Sequence, residues 1–79
     1  MSPTVLRARG FRVYFWSREE TRPHVHVRHA EGKAKFWLAP TVELAYNSGL
    51  KRLRLASARR LVEEHADEIH AAWKAHRRH

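Results

Sequence analysis

Pro23-His24-Val25-His26-Val27-Arg28 carries the clearest structural pattern in this sequence. Its apolar and polar side chains alternate with a period of two, which is typical of a β-strand with one buried face. On such a strand the two valines lie on one face, and His24, His26 and Arg28 lie together on the other. The stretch therefore predicts a sheet with an apolar face that another layer must cover and a polar face that carries two imidazoles and a guanidinium.

The segments before and after this stretch show the same alternation. Residues 4–9, 11–17 and 33–38 each alternate apolar side chains with basic or aromatic ones. A tight turn at Gly10 would join the first two segments into a hairpin. A turn over residues 30–33, with its glycine at a position that tolerates a positive φ, would join the histidine stretch to the segment that follows. Two antiparallel hairpins are expected.

Beyond residue 50 the apolar spacing becomes that of a helix. The residues of this stripe are Leu50, Leu53, Leu61, Ile69 and Trp73, widened by Val62, His65 and Ala72. One helix to residue 76 would be about 39 Å long at about 1.5 Å per residue. We therefore expect a break near residues 65–67, with Asp67 and Glu68 in the first turn of a second helix. His65 is expected to pack in the core.

Together these segments predict a single α+β domain over residues 1–79. An antiparallel sheet of about four strands, in two hairpins over residues 4–46, would be packed on its apolar face by one or two C-terminal helices over residues 50–76. Residues 41–46 fit either a short edge strand or a helical turn, and Asn47-Ser48-Gly49 predicts a turn before the helical part.

The composition is that of a basic protein without cysteine. Among 79 residues, 16 are Lys or Arg and 8 are Asp or Glu, so the formal net charge is +8 at pH 7. The lack of cysteine excludes disulfides and a thiolate zinc site. A surface of this charge attracts polyanions or an acidic protein. No segment resembles a signal peptide or an apolar membrane span of roughly 20 residues, so we expect a cytoplasmic protein without a membrane partner.

The polar face of the predicted sheet is a candidate nucleic-acid surface. Besides the histidine stretch, its basic and aromatic side chains are Arg12, Tyr14, Trp16, Lys33, Lys35 and Trp37. In proteins that bind single-stranded RNA or DNA, cations follow the phosphates and aromatic rings stack on the bases. The predicted partner is therefore nucleic acid, RNA rather than DNA. The alternative is a non-catalytic interaction module, in which this face docks an acidic protein or a second copy of the chain.

His24, His26 and Arg28 also match the needs of a metal-independent ribonuclease. Such an enzyme uses a base, an acid and a cation beside the phosphate, and these three side chains supply them. The same pattern equally describes two solvated histidines, so the sequence leaves catalysis open.

A zinc site would need His29, which alternation places on the other face, and a fourth ligand that is not evident. We expect no metal and no cofactor. Histidine-triad hydrolases are excluded because Arg28 stands where they have a third histidine.

Seven segments, in their order and spacing, resemble a family of small prokaryotic proteins known as a domain of unknown function, DUF4160. They are Pro3–Arg7, Gly10–Arg12, Pro23–Arg28, Ala34–Leu38, Val42–Ala45, Asn47–Gly49 and Leu61–His65. The resemblance implies no settled activity. It does imply a gene neighbour in arrangements like those of toxin–antitoxin pairs, which predicts an acidic protein partner. One difference is that relatives usually begin the C-terminal helix with a Ser-Pro or Thr-containing cap, which Leu50–Leu53 lacks.

Overall fold

A five-stranded antiparallel sheet followed by two helices makes up the computed structural model, which describes residues 4–16 and 21–77. The elements are β1 (Thr4–Ala8), β2 (Phe11–Tyr14), β3 (His24–His29), β4 (Gly32–Trp37), β5 (Glu43–Ser48), α1 (Arg52–Glu64) and α2 (Ala66–Arg77). Strands that are consecutive in the chain are neighbours in the sheet, in the order β1-β2-β3-β4-β5. The predicted α+β class is confirmed, with one strand more than expected because residues 43–48 form the edge strand β5.

β3 is the central strand, and its alternation fixes the two faces of the sheet. Val25 and Val27 are fully buried. Val27 pairs with Val13 of β2 and with Ala34 of β4, and all three side chains belong to the core. Directly opposed residues of antiparallel strands share a face, so these pairings make one apolar face that extends over three strands. The predicted orientation of the histidine stretch is confirmed.

The two helices cover this apolar face. Their buried side chains are Ala58, Leu61, Val62, Ile69 and Trp73, and all five belong to the same core as the sheet valines. Full burial of a large aliphatic side chain contributes about 1.5–3 kcal/mol. α1 ends at Glu64, His65 leaves the helical conformation with a φ of −112°, and α2 begins at Ala66. The predicted break is confirmed, and Asp67 and Glu68 lie in the first turn of α2.

Two positions of the predicted helix stripe are wrong. Leu53 is 81% exposed. Leu50 precedes the helix and Lys51 has an extended backbone, so the helical spacing from Leu50 to Leu53 does not apply. His65 is only partly buried, with its Nδ1 3.1 Å from Glu68 Oε1. Since His65 lies where the helix is broken, the stripe does not continue through it.

The start of α1 is capped by Glu31, which lies in the β3–β4 turn. Lys51 at the N-cap position makes no side-chain cap, and the first turn holds no acidic residue. Instead, Glu31 Oε2 accepts a hydrogen bond from Arg54 Nε at 3.3 Å, and the backbone N–H of Lys51 lies close enough to the same carboxylate to lower its pKa. Desolvation alone would raise the pKa of Glu31, but its hydrogen bonds and the charge of Arg54 hold that pKa below its ordinary value. The cap missing from the local sequence therefore comes from a distant turn.

Close backbone contacts join the β3–β4 turn to the connection between β5 and α1. Gly32 does not have the positive φ expected for it, and a Cβ there would collide with the carbonyl oxygen of Ser48. Gly49 does have a positive φ, of 95°. Asn47 closes the connection because its side-chain amide donates to Leu50 O at 2.8 Å and its Oδ1 accepts from the Leu50 N–H at 3.1 Å. Close approach of two backbones, not turn conformation, requires glycine at position 32.

Replacing Glu31 by Gln is expected to destabilise the protein at neutral pH, since the amide loses the charge-assisted hydrogen bonds at the start of α1. The folded pKa of Glu31 is lowered, so its stabilisation is fully present above the unfolded pKa of about 4.3 and is lost as the pH falls through the folded pKa. Urea midpoints of wild type and Glu31→Gln should therefore differ at neutral pH and converge in acid. The control is Glu63→Gln, whose carboxylate pairs with Arg59 on the surface of α1. An equal change in urea midpoint for Glu31→Gln and Glu63→Gln would contradict the capping role of Glu31.

Replacing Gly32 by Ala is expected to lower the free energy of unfolding by about 1–3 kcal/mol, because the new methyl group overlaps backbone that cannot move independently. Lys33→Ala, at the next and exposed position, should change it by less than about 0.5 kcal/mol. Both values can be measured by urea unfolding followed by circular dichroism. A Gly32→Ala protein as stable as wild type would show that the contact is not tight.

Candidate nucleic-acid interface

The outer face of the sheet, opposite the helices, collects the predicted site residues of β2, β3 and β4. The cross-strand pairings place them in three rows, which are Arg12–Arg28–Lys33, Tyr14–His26–Lys35 and His24–Trp37. Trp16 lies beyond the end of β2 and is 70% exposed. For the residues within β2, β3 and β4, the predicted sharing of one face is confirmed.

Four rings form a continuous row across the outer face. The Tyr14 and His26 rings are stacked, with centroids 5.4 Å apart and planes at 25°. His26 meets His24 edge-on at 5.5 Å, and His24 meets Trp37 edge-on at 6.1 Å. Offset and edge-to-face contacts at these distances are the favourable arrangements of aromatic rings. The row therefore ties β2, β3 and β4 together on the polar side of the sheet.

Cations pack against the rings at both ends of the row. The Arg12 guanidinium carbon lies 4.6 Å from the Tyr14 centroid. At the other end, Arg22 and Lys35 each lie 4.5 Å from the Trp37 centroid. Each such contact is worth about 0.5–2 kcal/mol, depending on its exposure. The faces of Tyr14 and Trp37 are thus in contact with protein cations, and the prediction that these two rings stack on bases remains a prediction. Trp16 is more open to a base.

His24 lies in the middle of this packing. It is 1% exposed, and its Nδ1 is 2.9 Å from the Arg22 carbonyl oxygen. A carbonyl only accepts, so Nδ1 donates, and the neutral ring has its lone pair on Nε2. His26 is half-buried and Arg28 is exposed. The roles of these three residues in catalysis remain a prediction, but a phosphodiester would reach His24 only after its neighbours move.

A row of four cations crosses the outer face beside the rings. Arg7 pairs with Arg12, Arg12 with Arg28, and Arg28 with Lys33; we call these four residues the cationic rung. Adjacent strands lie about 4.8 Å apart, so the rung is about 14 Å wide. Like charges placed directly opposite each other destabilise a sheet. An anion that lies against the rung would reduce the repulsion between these charges.

Several described arginines outside the rung are paired with carboxylates. The described ion pairs of arginine are Arg9–Glu64, Arg22–Glu43, Arg54–Glu31 and Arg59–Glu63. Within residues 4–16 and 21–77, none of the ion pairs includes Arg7, Arg28 or Lys33.

Arg7 was missing from the predicted site, although alternation within β1 places it on the outer face. Arg9, which the same alternation placed beside Arg7, instead lies in the turn with a φ of 55° and forms a salt bridge of 2.8 Å with Glu64. The chain reverses direction at Arg9 and Gly10, so the strand alternation ends at Ala8.

The described residues contain neither a metal-ligand cluster nor a membrane helix. No group of three or more His, Cys, Asp or Glu residues among them could hold a metal ion. His29 packs against Phe11 at 5.0 Å, apart from His24 and His26. No helix in the described ranges is both long and apolar enough to cross a bilayer.

One comparison with known proteins gives a match. The family model described as "Domain of unknown function (DUF4160)" matches residues 10–74. No curated protein and no solved structure matches the chain significantly. The matched region includes the outer face from β2 to β4 and leaves out β1, and with it Arg7.

Replacing His24 by Ala is expected to lower the free energy of unfolding by about 2–4 kcal/mol, because it leaves a cavity under the ring row and removes the hydrogen bond to Arg22 O. His26→Ala, at a half-buried position, should lower the free energy of unfolding by roughly half as much. Urea unfolding at neutral pH measures both. If His24→Ala were as stable as wild type, its ring would not be part of the packing.

Proposed function

The chain belongs to the DUF4160 family, and we propose that it binds single-stranded nucleic acid, RNA in preference to DNA, through the phosphate backbone. The observation that carries this proposal is the cationic rung of Arg7, Arg12, Arg28 and Lys33. Folding places these four cations directly opposite one another, and the phosphates of a polyanion lying across β1 to β4 would reduce the repulsion between them. The net charge of +8 adds a long-range attraction for the same ligand.

The ring row supports the proposal by holding cations in place. Arg12 packs on Tyr14, and its Nε donates to Thr4 Oγ1 at 2.9 Å. Lys35 is held over Trp37 in the same way. A side chain that is ordered before binding loses less conformational entropy when the ligand arrives. The exposed indole of Trp16 would supply stacking on a base near the end of β2.

The proposal extends to a role in the cytoplasm as one component of a toxin–antitoxin-like pair. An acidic partner protein would cover the same cations that bind RNA, so partner and RNA would compete. The net charge of +8 supports this extension, which starts from the gene arrangement that the family resemblance implies. Cleavage of the bound RNA by His24 and His26, with Arg28 at the phosphate, would make the protein a metal-independent ribonuclease. Degradation of RNA in the presence of a chelator, abolished by His26→Ala, would establish that activity.

The second candidate is a protein interaction module without catalysis. The observation that favours it is a set of large apolar side chains exposed at the surface. Leu44 and Tyr46 lie on the edge strand β5, and Trp16 follows β2. An open edge strand can pair with a strand of another chain. A stable dimer in size-exclusion chromatography with light scattering, together with no RNA binding, would favour the module over the proposed function.

Binding of a labelled single-stranded RNA is expected to weaken about 50-fold when salt rises from about 50 to about 200 mM, since four phosphate contacts give a logarithmic slope of about −3. Fluorescence anisotropy over a salt series measures the slope. Lys33→Gln should weaken binding and make the slope shallower by about 0.7. Arg60→Gln removes the same charge from an exposed position of α1 and serves as the control. An affinity that does not change with salt concentration would contradict the proposal, and so would an equal loss of affinity in both variants.

A further inference from the structure

A cleft opens between the two hairpin turns at one end of the sheet. The backbone pairing of β2 with β3 ends at Arg12 and Arg28, and the β1–β2 and β3–β4 turns lie beyond that pair on either side. The cleft between them is open and has a volume of about 590 Å³. Its polar lining consists of Arg7, Arg12, Arg28 and His29. Three members of the cationic rung thus share a concave site with the imidazole of His29, a residue outside the predicted nucleic-acid surface.

The hydrogen bonding of His29 makes its ring a donor toward the β1–β2 turn. The Glu31 backbone N–H donates to His29 Nδ1 at 3.0 Å, so Nδ1 is the acceptor and the neutral ring carries its proton on Nε2. A Cβ on Gly10 would lie 3.2 Å from that Nε2. Gly10 has a φ of 82°, a conformation that favours glycine, and it places no side chain over the Nε2–H. Phe11 supports the ring from the core side.

The charges of the cleft are of one sign. The described residues that line it include no Asp or Glu. Arg9 lies next to the cleft, in the β1–β2 turn, but its guanidinium is bound to Glu64. Arg7 and Arg28 form none of the ion pairs found in the described part of the chain. Within the described part of the chain, the cleft therefore presents the guanidinium groups of Arg7 and Arg28 and the imidazole N–H of His29 to a ligand, and no carboxylate lines it.

We propose that this cleft binds a phosphate monoester, and that the monoester is the terminal phosphate of a nucleic-acid strand. A monoester carries a charge of about −1.5 to −2 at pH 7 and three acceptor oxygens. An internal phosphodiester has only one negative charge and two free oxygens. Guanidinium groups bind such oxygens in bidentate pairs. The strand-end assignment rests on the proposed function, because the cleft continues directly into the cationic rung that would hold the rest of the strand.

The test compares short RNA strands of one sequence that carry a 5′-phosphate, a 3′-phosphate or hydroxyl groups at both ends. Anisotropy at fixed salt gives the affinity ratio of phosphorylated to hydroxyl-ended strands. We expect a ratio of about ten or more in wild type for at least one end, since one additional charge-assisted contact is worth that much. Arg7→Gln and Arg28→Gln, at exposed positions, should bring the ratio close to one. Arg9→Gln, which removes a charge already paired with Glu64, should leave it unchanged.

Competition tests whether the cleft also binds a free phosphate monoester, and not only one at the end of a strand. Adenosine monophosphate and inorganic phosphate should displace the phosphorylated strand, whereas adenosine should not. Equal affinity of phosphorylated and hydroxyl-ended strands would overturn the inference while leaving the proposed function intact. A ratio lowered as much by Arg9→Gln as by Arg7→Gln would overturn it as well. If no strand binds but adenosine monophosphate does, with a loss of affinity in Arg7→Gln, the phosphate site stands, whereas the strand-end assignment and the proposed function fail.

Discussion

Burial of Val25 and Val27 beneath the two helices is the constraint on which the rest of this structure depends. Both valines lie on the central strand, and their pairings with β2 and β4 set the register of the strands on either side. A slip of one residue would turn the histidines and Arg28 into the core and the valines into water. Hydrophobic burial on one face thus fixes which cations and rings meet on the other.

The outer face divides into a part that stabilises the fold and a part that does not. The ring row of Tyr14, His26, His24 and Trp37 is packed within the protein, and cations rest on both of its ends. The cationic rung beside it is a set of like charges in direct opposition. An arrangement that gathers one sign of charge on one face is typical of a binding surface. This contrast is why the proposed function rests on the rung and not on the two histidines.

The β3–β4 turn connects the candidate site to the helical layer through a single residue. The Glu31 backbone N–H fixes the ring of His29 in the cleft, while its carboxylate caps α1 through Lys51 and Arg54. Gly32 and Gly49 let the two backbones meet closely enough for these contacts to form. The position of the cleft relative to α1 is therefore set by contacts that are far apart in the sequence.

The fold class, the orientation of the histidine stretch and the helix break could all be predicted from the period of each segment. These features follow from local alternation and spacing, which a strand or helix converts directly into shared faces. The edge strand β5, the exposure of Leu53, the partner of Arg9 and the burial of His24 could be seen only in the folded chain. Each of these depends on which distant groups come close, such as Ser48 against Gly32 or Glu64 against Arg9. Such contacts leave no local pattern, because the residues that make them are separated by long stretches of chain.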